Sequence, residues 1–240
     1  MGVITFNGVP STDVGIVVEH YPDYQYPEKV YELSHVPGRN GDVIYEPGEY
    51  HNTTISYQIA FMEGYDIEAF PRMAPEVSKW LHSAHGYVRL SDTYTPEFYY
   101  LAYYKEQLAL KNLLNKAGRA TIRFERKPQR FLVSGDTVTT LTANGTITNP
   151  TDQDSKPVIT VYGTGAGVLS VGSTQVTISN IDGYVTINSE LQDSYKGASD
   201  QNGVITLSSD SYPVLIPGDN GIEFSGGITS VEIIPKWWTV

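Results

Sequence analysis

The sequence predicts a mainly β protein with one short helix, built as two modules. Three observations carry that expectation. Glycine and proline, 22 and 14 of 240 residues, recur at roughly strand-length spacing. Tyrosine and β-branched residues fill the segments between them, a composition that favours sheets joined by turns. Composition and charge also change together near residue 133.

From the start of the chain, Val3 to Phe6 and Gly15 to Glu19 are short apolar runs separated by the turn cluster Asn7-Gly8-Val9-Pro10-Ser11, which predicts a strand and its return. Tyr21 to Tyr26 interleaves aromatics with Pro22 and Asp23 and reads as an extended edge or loop. Pro37-Gly38-Arg39-Asn40-Gly41 demands a sharp reversal with positive φ, with Arg39 at its tip. We take these five residues as a candidate functional loop. His51 to Met62 places Thr53, Ile55, Tyr57, Ile59 and Phe61 on one face of a strand.

The single predicted helix runs from Pro75, suited to a first helical position, to His85, with Gly86 to end it. Val77, Trp80, Leu81 and Ala84 form its apolar stripe. The β pattern returns at Tyr87 to Leu90. Phe98 to Tyr104 is then aromatic on both faces, so it is either a central strand or one at a subunit contact. Tyr99, Tyr100, Tyr103 and Tyr104 are the candidate interface residues, with plain core as the competing reading. Ala120 to Leu132 alternates Ile122 and Phe124 with Arg123 and Glu125.

The domain boundary is placed near Val133, giving domains 1–133 and 134–240. The first holds 13 basic and 16 acidic residues, the second 3 and 11, so most of the net charge of −11 belongs to the second. In that second part, Pro157 to Tyr162, Val168 to Val171, Gln175 to Ser179, Tyr184 to Asn188 and Val204 to Leu207 read as short strands. Gly221 to Ser225 and Ile228 to Ile234 read as a hairpin about Gly226-Gly227. Short strands at even spacing predict an antiparallel sandwich.

Several function classes find no support. The chain has no cysteine, which removes disulfides, thiolate metal sites and a cysteine nucleophile. A charge of −11 disfavours binding to a phosphate backbone. No apolar run approaches ~18 residues and no leader pattern opens the chain, so a soluble protein without membrane insertion is expected. Gly163-Thr164-Gly165-Ala166-Gly167 is followed by a β-forming run instead of a helix, so a hairpin turn is preferred over a dinucleotide site. His82 and His85 are read as facing water at a helix end, and the pairs Asp152/Asp154 and Glu190/Asp193 as solvated carboxylates. No Gly-x-Ser-x-Gly elbow occurs. The expectation is therefore no catalytic residue, no metal, no cofactor and no enzyme. Trp237 and Trp238 face opposite sides of a strand, so one is expected to be buried and one available to a partner or a sugar.

Pro37 to Gly41, the Trp80-Leu81 helix, Ile187-Asn188-Ser189-Glu190 with Tyr195, and Pro213-Val214-Leu215-Ile216-Pro217-Gly218-Asp219-Asn220 before a terminal Pro235-Lys236-Trp237 together resemble the distal tail protein family of long, non-contractile-tailed bacteriophages. The likeness covers essentially the whole chain. It implies an N-terminal ring-forming domain and a C-terminal galectin-like sandwich, assembled as a homo-hexameric hub at the tail tip. The implied neighbours are the tail tube protein, the tape measure protein and a tail-associated or receptor-binding protein. The implied location is the virion, after assembly in the bacterial cytoplasm, with DNA passing through the ring. Trp237-Trp238 departs from the Trp-Arg expected there. A carbohydrate-binding module is the alternative, but residues 134–240 hold no histidine, no arginine and three lysines, a poor inventory for a galectin-type site.

Overall fold

The computed structural model describes residues 1–61, 70–106 and 119–240. Met62, the last residue of the strand expected from His51, lies outside them. The chain separates into two compact units, Met1–Arg130 with the terminal Val240, and Phe131–Thr239.

In the first unit, β1 (Ile4–Phe6) returns as β2 (Val9–Pro10) through Asn7 and Gly8, whose φ angles of 51° and 79° mark a two-residue turn of the mirror-image type. β3 (Ile16–Val18) and β4 (Asp23–Tyr24) both pair with the later strand β7 (Thr53–Phe61), and β5 (Glu32–Ser34) pairs only with β6 (Val43–Tyr45). After α1 (Phe70–Leu81) come β8 (Val88–Asp92), β9 (Phe98–Tyr103) and β10 (Arg119–Leu132). The sheet order is β2-β1-β8-β9-β10-β7-β3. Because β10 runs antiparallel to β7 from Arg119 opposite Ala60 to Arg126 opposite Thr53, Ile122 and Phe124 meet Tyr57 and Ile55 on the buried face.

Val77, Trp80 and Leu81 of α1 lie in that same core, and Phe6 packs edge-on against Trp80 at 6.1 Å. The helix differs from the expected one. Pro75 lies inside it instead of opening it, and the regular helix stops at Leu81, after which Ser83 donates its N–H and its hydroxyl to Trp80 O. Pro75, the sixth residue of the helix, forgoes one i→i−4 hydrogen bond, and the burial of the Val77, Trp80 and Leu81 stripe holds the element in spite of it.

The second unit is one antiparallel sheet folded over itself. Its strands are β11 (Thr139–Leu141), β12 (Gly145–Asn149), β13 (Val158–Val171), β14 (Thr174–Asn188), β15 (Asp193–Lys196), β16 (Ser199–Asp200), β17 (Ile205–Leu207) and β18 (Gly218–Ile234). β13 is paired along its length with β14 on one side and β18 on the other. Three strands expected as six short ones are thus continuous. They bend at Gly163–Gly167, Gly183 and Gly226-Gly227, where the β13 register shifts.

The glycines are there for close approach. A Cβ on Gly227 would lie 1.9 Å from Thr164 O, and one on Gly163 would lie 2.1 Å from Gly227 O. Neither Gly163–Gly167 nor Gly226-Gly227 is a hairpin turn, because a glycine corner inside a long strand carries the same sequence signal as a strand end. The bend brings both halves of each long strand onto one core, where Ile159 and Val161 share a cluster with Leu169, Val171 and Ile222.

Candidate functional site

The least buried ordered element of the first unit surrounds the candidate loop. β5 and β6 form a hairpin that pairs with no other strand among the described residues, and all six of their residues are exposed. The pairing continues toward the root through Val30 N to Glu49 O and His51 N to Glu28 O. At the tip, Arg39 N donates to Val36 O, with Pro37 at the second turn position and Gly38 at the third with φ of 83°. This is a type II turn, which requires that glycine. Pro37, Gly38, Arg39, Asn40 and Gly41 are all exposed, so the expected reversal is present with Arg39 in solvent.

This arm carries large apolar side chains in water: Tyr31, Leu33, Ile44 and Tyr45 are 53–64% exposed. An isolated two-stranded hairpin is marginal in water at best, so its order must be supplied at the root or by a partner. Register places Leu33 opposite Ile44 on one face, bracketed by the ion pair Lys29–Glu46 at 2.6 Å and by His35 Nδ1 lying 3.4 Å from the Asp42 carboxylate. Ser34 and Val43, and Glu32 and Tyr45, are opposed on the other.

The root is held by a buried polar network. Asp92, 5% exposed at the end of β8, accepts the Tyr57 hydroxyl at 2.9 Å, the Tyr24 hydroxyl at 3.0 Å, and the backbone N–H groups of Tyr94 and Thr95 at 2.9 and 3.0 Å. Arg126, 2% exposed, donates to Gln25 O at 2.5 Å and stacks on Tyr100 at 4.5 Å. Burial lowers its pKa from the usual value and raises those of Tyr57, Tyr24 and Tyr100. Tyr24 and Gln25 are therefore clamped to the sheet immediately before the chain leaves it. The sequence reading found the tip but missed the flanks Glu32–Ser34 and Val43–Tyr45, which two short apolar runs on either side of Pro37-Gly38 signal, and it missed Asp92 and Arg126, which nothing local signals.

Other candidates fall differently. Tyr99, Tyr100 and Tyr104 are buried within this chain, at 6%, 1% and 9% exposure, and Tyr103 is partly exposed. The reason is that β9 is an inner strand with α1 and the core on one side, while on the other Tyr99 lies under Arg89 at 3.9 Å. Trp237 is 6% exposed in the second core, and the half-buried Trp238 donates its indole N–H to Asp154 O at 2.8 Å. His82 and His85 are exposed, the His82 ring bonding Ser78 O. Asp152 accepts the Thr239 hydroxyl, Glu190 pairs with Lys156, and Asp193 accepts from Asn202. Among the described residues no group of three or more His, Asp or Glu side chains converges.

No protein-family model and no curated protein matches the sequence. The three-dimensional comparison does find a match: the crystal structure of the Dit protein (gp 19.1) of SPP1, presented as a paradigm of the hub adsorption apparatus in phages infecting Gram-positive bacteria, superposes with a TM-score of 0.76 over 100% of both chains at 13% identity. This chain has the SPP1 Dit fold. A second structure, the phage P2 baseplate in its activated, calcium-bound conformation, is similar at a TM-score of 0.49 and 9% identity over 97% of each chain, a likeness too weak to argue from. The superposition covers both units.

Proposed function

We propose that this protein is a structural hub of a bacteriophage tail tip, in which six copies close into a ring through the first unit. The ring joins the tail tube and tape measure proteins to a tail-associated or receptor-binding protein and lets DNA pass. The observation that carries this reading is the arm: an ordered, anchored hairpin exposing Tyr31, Leu33, Ile44 and Tyr45 fits a chain that completes itself in an assembly. The Dit fold supports the setting, a phage tail hub. The charge of −11 suits a lumen that offers phosphates nothing to bind. The protein acts by assembly and not by catalysis, and it resides in the virion after assembly in the host cytoplasm.

Mass photometry and negative-stain imaging of purified protein test this directly. Rings of six are expected at micromolar concentration. A monomer at every concentration, with no ring in the images, refutes it. Residues 134–240 are the galectin-like module of this reading, and Trp238 serves there as structure, its indole N–H being engaged within the same unit.

A further inference from the structure

Asparagine is followed by glycine five times in this chain, at Asn7, Asn40, Asn144, Asn202 and Asn220. The pair is chemically weak, because glycine has no side chain to keep its backbone nitrogen away from the preceding side-chain amide. Once deprotonated, that nitrogen attacks the asparagine Cγ, a cyclic imide closes and ammonia leaves. Water then opens the imide to aspartate or to an isoaspartyl link. The fold treats the five pairs differently.

Four are tied down. Asn220 is 2% exposed, donates to Ile216 O and Gly218 O at 2.8 and 2.9 Å, and accepts the Ile216 N–H at 2.9 Å. Asn202 accepts the Ser194 N–H at 2.9 Å and the Tyr212 hydroxyl at 3.1 Å, and donates to Asp193 at 2.7 Å. Asn144 accepts the Phe224 N–H at 2.9 Å. Asn7 donates to the Ser83 hydroxyl at 3.5 Å and is fixed, with φ of 51°, in the two-residue turn between β1 and β2. Its single long bond makes it the loosest of these four.

Asn40 has no such restraint. It is exposed at the tip of the arm, and neither its side-chain amide nor the Gly41 N–H makes a hydrogen bond among the described residues. Gly41 has φ of 81° and open space where a Cβ would stand. Attacking nitrogen and target carbon are thus neighbours in water, with no bond to give up before they meet. At the other four sites each hydrogen bond that must first break slows the closure by roughly tenfold.

We infer that Asn40 is this protein's site of spontaneous deamidation. The Gly41 nitrogen bonds to Cγ, the Cγ–Nδ2 bond breaks, ammonia carries the nitrogen away, and one water is consumed in opening the imide. The step needs no enzyme, oxidant or cofactor. It places a new carboxylate beside Arg39 and close to Asp42, and the isoaspartyl product lengthens the main chain by a methylene just ahead of β6. The arm is therefore altered with age at its most open point, whatever it binds.

Full-length protein is incubated in mildly alkaline buffer, and conversion at each of the five sites is followed by peptide mass mapping, with isoaspartyl methyltransferase labelling as a second readout. Asn40 is expected to convert first, at least about tenfold faster than each of the others, and faster as pH rises because the nitrogen must lose its proton. Asn40→Gln, at an exposed position, should abolish most of the methyl labelling and leave tryptophan fluorescence unchanged. In urea the four restrained sites should gain on Asn40 by about tenfold. Native protein in which Asn7 or Asn144 converts as fast as Asn40 overturns the inference. So does an unchanged ranking in urea, which would place the preference in the neighbouring sequence instead of the fold.

Discussion

Replacing Asp92 should cost the first unit more than any other single polar change. The carboxylate receives the Tyr57 and Tyr24 hydroxyls and the Tyr94 and Thr95 amides, at 2.9 to 3.0 Å. In Asp92→Ala, the Tyr57 hydroxyl loses its acceptor in a fully buried setting, a loss of about 2–3 kcal/mol for a bond to a charged group. Tyr24 and the two amides are nearer water, which replaces part of what they lose, and together they add about 1–2 kcal/mol. The sum is about 4 kcal/mol. With a urea slope of about 1.5 kcal/mol/M for a unit of this size, the midpoint should fall by roughly 2.5 M. Asp92→Asn keeps one oxygen for the amides and should cost about half as much. Trp80 is the only tryptophan in residues 1–130, so urea unfolding followed by fluorescence in a Trp237→Phe/Trp238→Phe background reports this unit alone. An alanine variant within 1 kcal/mol of the parent, or one no worse than asparagine, would show that the network does not anchor the root and would refute the reasoning.

Three further outcomes are expected. Tyr57, Tyr24 and Tyr100 have raised pKa values, with burial as the first cause, so the folded state holds protons that the unfolded chain releases. The first unit should keep its stability below about pH 10 and lose it as pH rises further, by up to ~1.4 kcal/mol per pH unit for the buried Tyr57; Trp80 fluorescence with tyrosinate absorbance checks this, and Tyr57→Phe should flatten the decline. Gly227→Ala, whose Cβ meets Thr164 O at 1.9 Å, should abolish cooperative unfolding of the second unit in a thermal scan, whereas Gly165→Ala, with φ of 78° and open space around it, should cost only about 1–2 kcal/mol of backbone strain. Trp237→Ala should cost about 3–5 kcal/mol by emptying core volume, and Trp238→Ala under half of that, in calorimetry of the whole protein.

Much of the fold was legible because local pattern and tertiary role agree. The alternation through Thr53, Ile55, Tyr57, Ile59 and Phe61 is the alternation of β7, and the Val77, Trp80, Leu81 stripe is the face α1 buries. Legibility failed where one signal has two structural meanings. A glycine pair between apolar runs ends a strand in one protein and bends it in another, and only the neighbouring chain, here Thr164 O against Gly227, decides which. Asp92 and Arg126 were invisible for a related reason. Each reads locally as a surface charge, and their partners Tyr24 and Gln25 are 68 and 101 residues away.

The same ambiguity explains why three of the tyrosines expected at a subunit contact, Tyr99, Tyr100 and Tyr104, are buried within their own unit. Phe98 to Tyr103 and the stretch from Tyr21 to Tyr50 are both rich in aromatics on both faces, and composition cannot rank them. What separates them is sheet position. β9 has a hydrogen-bonded strand on each side, so both of its faces are covered by what those strands carry, the helix beneath and Arg89 above. Among the described residues β5 and β6 pair only with each other, and Leu33 and Ile44 stay exposed. A chain that clamps the root of such a hairpin with a buried arginine and a buried carboxylate, and leaves its apolar strip in water, is what the assembly proposed above would require of it.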